Sequence, residues 1–333
     1  MKLLRKILFP FVPAYYFVTW LRNILYDYGF KKHKSYKFPV ICVGNLSVGG
    51  TGKTPMVEYL IRLLKDDYNM ATLSRGYKRK TKGYKLAVSD SLVEDLGDEP
   101  FQFYNKFQNE ILVAVDEDRQ NGINSLKLED ENLEVIILDD AFQHRKVKAG
   151  FNILLTTYND LYTNDFVLPS GNLREPRKGA DRANIIIVTK CPNHINEQSI
   201  VKQINPKPYQ KVFFSSISYS DKIVSENDIR SLNASIQDFT LVTGIANADS
   251  LVDFLKSKKL SFDHLNFNDH HEFSNQDIQM LSKKKFVITT EKDFMRLMTY
   301  ESLKGKLYYL PIEASIKNEL LFNKLVKDFV SSY

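Results

Sequence analysis

At 333 residues, with 43% hydrophobic and 26% charged residues, the chain is long enough for two domains with real cores and too apolar to be a disordered protein. Its two cysteines, Cys42 and Cys191, sit in or beside apolar runs that read as strands, which suits buried thiols in a reducing, cytosolic compartment better than a disulfide framework. The net charge of +6 is uneven: residues 1–37 carry eight Lys and Arg against Asp27 alone, or +7, which leaves −1 for the rest and argues against a nucleic-acid binder with charge spread around its working site.

The basic end is also apolar. The run ILFPFVPAYYFVTWL, residues 7–21, is broken by Pro10 and Pro13, and it is shorter than the ~20 residues that span a bilayer. No small-residue cleavage site of a signal peptide follows it. Trp20, the only tryptophan, lies here with Tyr15, Tyr16 and Phe17, aromatics that favour the headgroup region. Residues 1–28 therefore read as an interfacial segment on an anionic membrane face. The competing reading is an N-terminal helix packed on its own domain through Leu21, Ile24, Leu25 and Tyr28.

From residue 38 strands and helices alternate. FPVICV is a short β-rich run, followed by the glycine loop GNLSVGGTGKTP (44–55) and a helix that begins with Pro55 in its first turn. Apolar runs at 70–74, 111–115, 134–140, 151–157 and 184–190 read as buried parallel strands of a doubly wound α/β domain. After Lys190 the chain turns polar and proline-bearing, and a second, smaller α/β unit is expected: a strand at 239–246, helices at 248–260 and 275–284, a strand at 286–293 and a closing helix near 317–331. The division is placed at residue 210, giving 29–210 and 211–333. The strand-like runs 211–218 and 306–313 bracket the second unit and are expected to pair as a two-stranded hinge.

The loop carries the first chemistry. Gly49, Gly50 and Gly52 let the backbone approach phosphate oxygens, Lys53 can reach the β- and γ-phosphates, and Thr54 offers a hydroxyl to Mg²⁺. Ser47 replaces the opening glycine of the usual G-x-x-x-x-G-K-[ST] pattern, and Val48 and Thr51 complete the loop. The run EVIILDD ends in Asp139 and Asp140, acids that can hold Mg²⁺ or its waters opposite Thr54. A guanine-reading N-K-x-D element is missing, since TKCP (189–192) lacks the aspartate. Val48 stands where membrane-cycling switch ATPases have lysine. Both features point to an enzyme; a nucleotide-gated membrane adaptor is the alternative.

Eight motifs then occur in order over nearly the whole chain: VGNLSVGGTGKTP, LSRGYKRK (73–80), GDEP (97–100), LDDAFQHR (138–145), LPSGNLREP (168–176), GIANADSL (244–251), FNDHHEFS (267–274) and TTEKDFMRL (289–297). Together they resemble the tetraacyldisaccharide 4'-kinase family, with Ser47 where threonine is common and Ala141 where glycine is frequent. The resemblance implies an ATP- and Mg²⁺-dependent kinase, peripheral on the cytoplasmic face of the inner membrane. It would phosphorylate the 4'-hydroxyl of a lipid A disaccharide precursor, with no nucleic acid and no obligate protein partner.

The family pattern assigns proton acceptance to Asp98, with His270 as its partner and Asp269 as a possible orienter. It associates Arg174 and Glu175 with phosphate and metal. Asp98 has a competing reading as a helix cap. Arg75, Lys78, Arg79 and Lys80 form either a solvated basic turn or a phosphate or lipid contact. The adjacent His270 and His271 do not face one centre, so a zinc cluster is not expected.

Overall fold

The computed structural model describes residues 7–233, 236–269 and 271–333. In chain order its main elements are α1 Val12–Asp27, β1 Val40–Asn45, α2 Lys53–Leu64, β2 Met70–Ser74, β3 Lys85–Leu86, α3 Asp98–Phe107, β4 Leu112–Val115, α4 Arg119–Glu129, β5 Val135–Asp139, β6 Phe151–Thr157 and β7 Ile185–Thr189. There follow α5 Glu197–Ile204, β8 Lys211–Tyr219, β9 Lys222–Val224, β10 Ile229–Ser231, β11 Phe239–Thr243, α6 Asp249–Ser257, β12 Phe262–Asn266 and α7 Asn275–Ser282. The chain closes with β13 Val287–Thr290, α8 Glu291–Leu297, β14 Leu307–Leu310, β15 Ile312–Ile316 and α9 Glu319–Val330.

A nine-stranded sheet has the order β15-β8-β7-β6-β1-β5-β2-β4-β3, parallel except where β15 and β3 pair antiparallel at its two edges. Its inner strands are almost wholly buried because both faces are covered, and the two-residue side-chain period splits their apolar residues between two cores. Ile41, Val43, Ile137 and Ile153 face one core, whereas Val40, Cys42, Ile136 and Leu154 face the other. Helix α2 buries Met56, Val57, Leu60, Ile61 and Leu64 along one stripe against the first of these cores. Strand, glycine turn and helix thus form one crossover unit, which places the turn at the carboxyl edge of the sheet, where α/β folds bind ligands.

A second sheet has the order β10-β9-β14-β13-β11-β12, with β14, β13, β11 and β12 parallel. This is the smaller α/β unit. The expected strand at 286–293 stops at Thr290, whose hydroxyl accepts from the Asp293 N–H and so starts α8.

The pairing expected for the hinge is only half present. Residues 211–218 lie in β8, but their antiparallel partner is β15, from Ile312 opposite Tyr219 to Ile316 opposite Ser215. Residues Leu307–Leu310 belong instead to the second sheet. Pro311 separates the two strands, and the Ser220 N–H donates to its carbonyl at 3.0 Å, so the outgoing and returning chains pass side by side. The closing helix α9 returns to the first unit, where Phe322, Val326 and Val330 enter the core beside Phe213. Residues 211–219 and 312–330 therefore pack with the first sheet, and not with the unit expected from a division at 210. An amphipathic pattern says that a face is buried, not against which sheet.

Helix α1 and the residues before it divide between packing and exposure. Val12, Tyr15 and Tyr26 turn toward the body of the protein. Ile7, Phe9, Phe11, Phe17, Val18 and Leu21 are exposed. Tyr28, expected in a core stripe, is 77% exposed. No helix among the described residues is long and apolar enough to cross a membrane.

Candidate active site

The glycine loop joins β1 to α2 through two left-handed glycines. Gly49 (φ +107°) and Gly52 (φ +83°) adopt backbone that side chains resist, and nothing lies within 4 Å of a Cβ added at Gly49. The loop is braced from within and without. Asn45 Nδ2 donates to Thr51 Oγ1 at 2.9 Å, and Thr189 Oγ1 donates to the Thr51 carbonyl at 2.8 Å. Residues 172–174 lie along its other side: the Val48 N–H donates to the Asn172 carbonyl, the Arg174 N–H to the Leu46 carbonyl, and Ser47 bridges Leu173. Ser47 is thus a backbone pairing position, which serine fills as well as glycine.

Strand β5 delivers the two acids. Asp140 has φ +46°, a conformation that aspartate tolerates, so the left-handed residue precedes Ala141 and no glycine is needed after it. Lys53 Nζ lies 3.7 Å from Asp140 Oδ1, and Arg174 Nη1 donates to both Asp140 oxygens at 3.0 and 3.1 Å. Burial opposes ionisation of Asp140, but Lys53 and Arg174 outweigh it and hold the carboxyl below its ordinary range. Asp139 is buried; burial first, then the charge of Asp140, push its pKa up to about 7. Ser74 Oγ donates to Asp139 Oδ2 at 3.2 Å, while Oδ1 is buried with no hydrogen-bond partner.

Glu175 is placed differently from the metal position expected of it. Gln143 and Arg182 donate to Oε1 at 3.0 and 2.8 Å, and Asn23 and Arg182 donate to Oε2 at 2.7 and 3.0 Å. A carboxylate with four donors is a structural anchor. It ties α1 to the loop that carries Arg174, an attachment reinforced by the Tyr15 hydroxyl on the Arg174 carbonyl at 3.0 Å.

Asp98 is the first residue of α3, and its side chain meets Arg296 from α8 of the second unit: Arg296 Nε donates to Oδ1 at 2.9 Å and Nη2 to Oδ2. Lys292 Nζ lies 3.1 Å from Glu99 Oε1. His270 lies outside the described residues. Its neighbour His271 bonds Asp277 Oδ2 at 3.0 Å and stacks on Phe267, and no cluster of three His, Cys, Asp or Glu suited to a metal occurs among the described residues. Arg75 is exposed beside a cavity of about 350 Å³ lined also by Tyr77 and Lys78; Arg79 and Lys80 there pair with Glu117 and Glu94. A second cavity, about 420 Å³ along residues 106–110, contains none of these groups.

Sequence reasoning missed Arg296 and Lys292, although both stand in the quoted run TTEKDFMRL, and missed Arg119. This arginine is 2% exposed and donates to the carbonyls of Asp116 (2.7 Å) and Asp139 (3.2 Å), bracing the end of β5. No local pattern announces such contacts; only the presence of a charged residue in an otherwise ordinary helix start could have raised the question.

The family model described as tetraacyldisaccharide-1-P 4'-kinase matches residues 4–330. A tetraacyldisaccharide 4'-kinase of Flavobacterium psychrophilum is 51% identical over 100% of this chain and 98% of its own length. One from Bacteroides thetaiotaomicron is 45% identical over 94% of this chain and 89% of its own. The crystal structure of LpxK from Aquifex aeolicus in complex with ATP superposes with a TM-score of 0.81 at 32% identity, covering 98% of this chain and 99% of that one. Matched end to end by the family model, by relatives at about half identity and by a solved fold, the chain belongs to the tetraacyldisaccharide-1-P 4'-kinase family.

Proposed function

We propose that the chain moves the γ-phosphate of ATP to the 4'-hydroxyl of a tetraacyldisaccharide 1-phosphate at the cytoplasmic face of the inner membrane, with the nucleotide on residues 47–54 and Asp98 as proton acceptor. The activity follows from the family: the protein is an ATP-dependent tetraacyldisaccharide 4'-kinase of lipid A biosynthesis, which sets aside the adaptor alternative. The observation that carries the site is the meeting of the glycine loop with the β5 acids, where Lys53 lies 3.7 Å from Asp140 and Asp139 keeps one oxygen unpartnered.

A buried carboxylate oxygen without a donor fits a hard cation, so Asp139, Asp140 and the Thr54 hydroxyl would hold Mg²⁺. Bound there, it supplies charge neutralisation on the β- and γ-phosphates. Lys53 and Arg174 add fixed positive charge toward the transferring group, and Glu175 holds the Arg174 loop in place. Asp98 orients the sugar hydroxyl and takes its proton late in the transfer, with His270 as its partner. Arg75, exposed beside the cavity of the basic turn, would contact a substrate phosphate.

The exposed Ile7, Phe9, Phe11, Phe17 and Val18, with the basic residues around them, support peripheral binding of residues 1–28 to an anionic surface. The crossing at Ser220 and Pro311 supports a hinge between the units. The test is transfer of labelled phosphate from ATP to the disaccharide in detergent micelles. Lys53→Ala should lower kcat by roughly 10²-fold or more; near-normal transfer would rule out this loop as the ATP site.

A further inference from the structure

We propose that Arg296 is a positioning residue for the phosphoryl transfer: it fixes the plane of the Asp98 carboxylate from the second unit, so that Asp98 is aimed only when the two units are docked. The proposal rests on the reading of Asp98 as proton acceptor and adds to it the group that orients that acceptor.

The contact is two-pronged. Nε and Nη2 of Arg296 donate to the two oxygens of Asp98, which sets the rotation of the carboxylate about its last bond as well as its position. Both side chains are mostly shielded, 14% and 12% exposed, so the pair does not exchange freely with water as surface pairs do.

Arg296 is itself held from behind. Its Nη1 donates to the His271 carbonyl at 3.2 Å and lies 3.9 Å from Asp293 Oδ1. Asp293 is fully buried and fixed by the Gly244 N–H at 2.8 Å and the Thr290 hydroxyl at 2.7 Å. The guanidinium therefore joins Asp98 to the backbone of the residue that follows His270. One turn earlier on α8, Lys292 meets Glu99, so i and i+4 cations of one helix engage consecutive acids of another. Two such pairs fix a relative orientation that one would leave free to swivel. Among the described residues, Glu99, Lys292 and Asp293 are charged groups beside Asp98 and Arg296.

The experiment compares kcat and the KM for ATP in Arg296→Met, Arg296→Lys, Asp98→Asn and the Asp98→Asn/Arg296→Met double variant of the full chain. Arg296→Met should lower kcat roughly 10²-fold, with KM for ATP within about threefold of wild type, because orientation is lost and nucleotide binding is not. Arg296→Lys, which keeps charge without the fork, should recover only part of kcat. In the Asp98→Asn background, removing Arg296 should cost less than about threefold more, since its effect runs through Asp98.

Fully additive losses, or a kcat for Arg296→Met within about threefold of wild type while Asp98→Asn is inactive, overturn the strut alone. Near-normal Asp98→Asn overturns the acceptor reading as well. Should Arg296→Met lose its thermal transition, Arg296→Lys decides: a loss of about tenfold or more in kcat at unchanged KM supports the proposal, and a kcat within about threefold overturns it.

Discussion

Lys106 stands between two buried carboxylates, and its removal should destabilise the protein in a way that depends on pH. Its Nζ lies 2.7 Å from Glu58 Oε2 on α2 and 2.8 Å from Glu291 Oε1 on α8, joining three helices and both units. The two carboxylates are 1% and 4% exposed. Burial, then the charge of Glu58, push the pKa of Glu291 up to about 7. Burial opposes the charge on Lys106, but Glu58 and Glu291 outweigh it and keep the ammonium above its ordinary value.

Lys106→Met would strand Glu291 and take one partner from Glu58. Breaking a buried pair costs about 3–5 kcal/mol. Arg62, 3.5 Å from Glu58, and Gln102, 2.8 Å from its other oxygen, still serve Glu58. The low end, about 3 kcal/mol, is therefore expected at pH 8. The sign follows from proton uptake. Between the ordinary value of 4.5 and about 7, folded Glu291 binds more protons than unfolded Glu291, so the stability it contributes is present below 4.5 and lost as pH rises through 7. Without Lys106 the folded value rises further, by about 1.4 kcal/mol for each pH unit. At pH 5.5 the variant escapes by protonating Glu291, and the loss should shrink to about 1 kcal/mol. Urea unfolding followed by far-UV circular dichroism at both pH values measures this, with Glu291→Gln expected to gain relative to wild type at pH 8 and not at pH 5.5. A loss that is equal at the two pH values, or larger at pH 5.5, refutes the reasoning.

Phe322→Ala empties a fully buried position between Tyr59 and Phe213 and should cost about 3–5 kcal/mol in the same urea assay, although the helix is the last of the chain and holds no site residue. Thr54→Ala should raise the Mg²⁺ concentration for half-maximal activity and lower kcat by roughly 10²-fold; an unchanged Mg²⁺ dependence would remove Thr54 from the metal. Trp20→Ala combined with neutral replacements at Lys2, Arg5 and Lys6, three residues outside those described, should weaken flotation with anionic vesicles while the circular dichroism spectrum is retained. Unchanged flotation would favour a helix that serves only to pack.

Where a segment's structure follows from its own residues, the sequence is a sufficient guide. Residues 70–74 and 151–157 are mainly apolar and β-prone, and they are β2 and β6 without a shift of one residue. The glycine loop and the β5 acids were legible because their chemistry needs particular residue types at particular places. What escaped depends on partners far along the chain. Arg296 and Asp98 are 198 positions apart, and neither carries a local sign of the other. Glu291 looked like the continuation of a strand, yet the Thr290 hydroxyl starts a helix there. Residues 306–313 are rich in β-prone side chains, but Pro311 cuts them into strands of two different sheets. Glu175 was expected to hold metal, and only the positions of Asn23, Gln143 and Arg182 reveal that its oxygens are already engaged.

The seam between α3 and α8 shows how a site divided between two units can be assembled and released. The helices run antiparallel, since Lys106 near the end of α3 meets Glu291 at the start of α8, whereas Asp98 at the start of α3 meets Arg296 toward the end of α8. Lys106 lies eight positions after Asp98, or about 12 Å along the helix. Phe103 and Phe107 turn toward the first core, and Phe101 touches the cores of both units. The Lys106 end is anchored by carboxylates almost without solvent contact, and separating charges there costs several kcal/mol. At the Asp98 end Glu99 and Lys292 are 25% and 21% exposed, so water can take over their charges at small cost. The Asp98–Arg296 pair beside them is more shielded, at 12% and 14% exposed, so under the proposed hinge the Glu99–Lys292 pair would part more readily than the contacts around Lys106. Under the proposed function, that end carries the proton acceptor, which Arg296 would orient when the two units are docked.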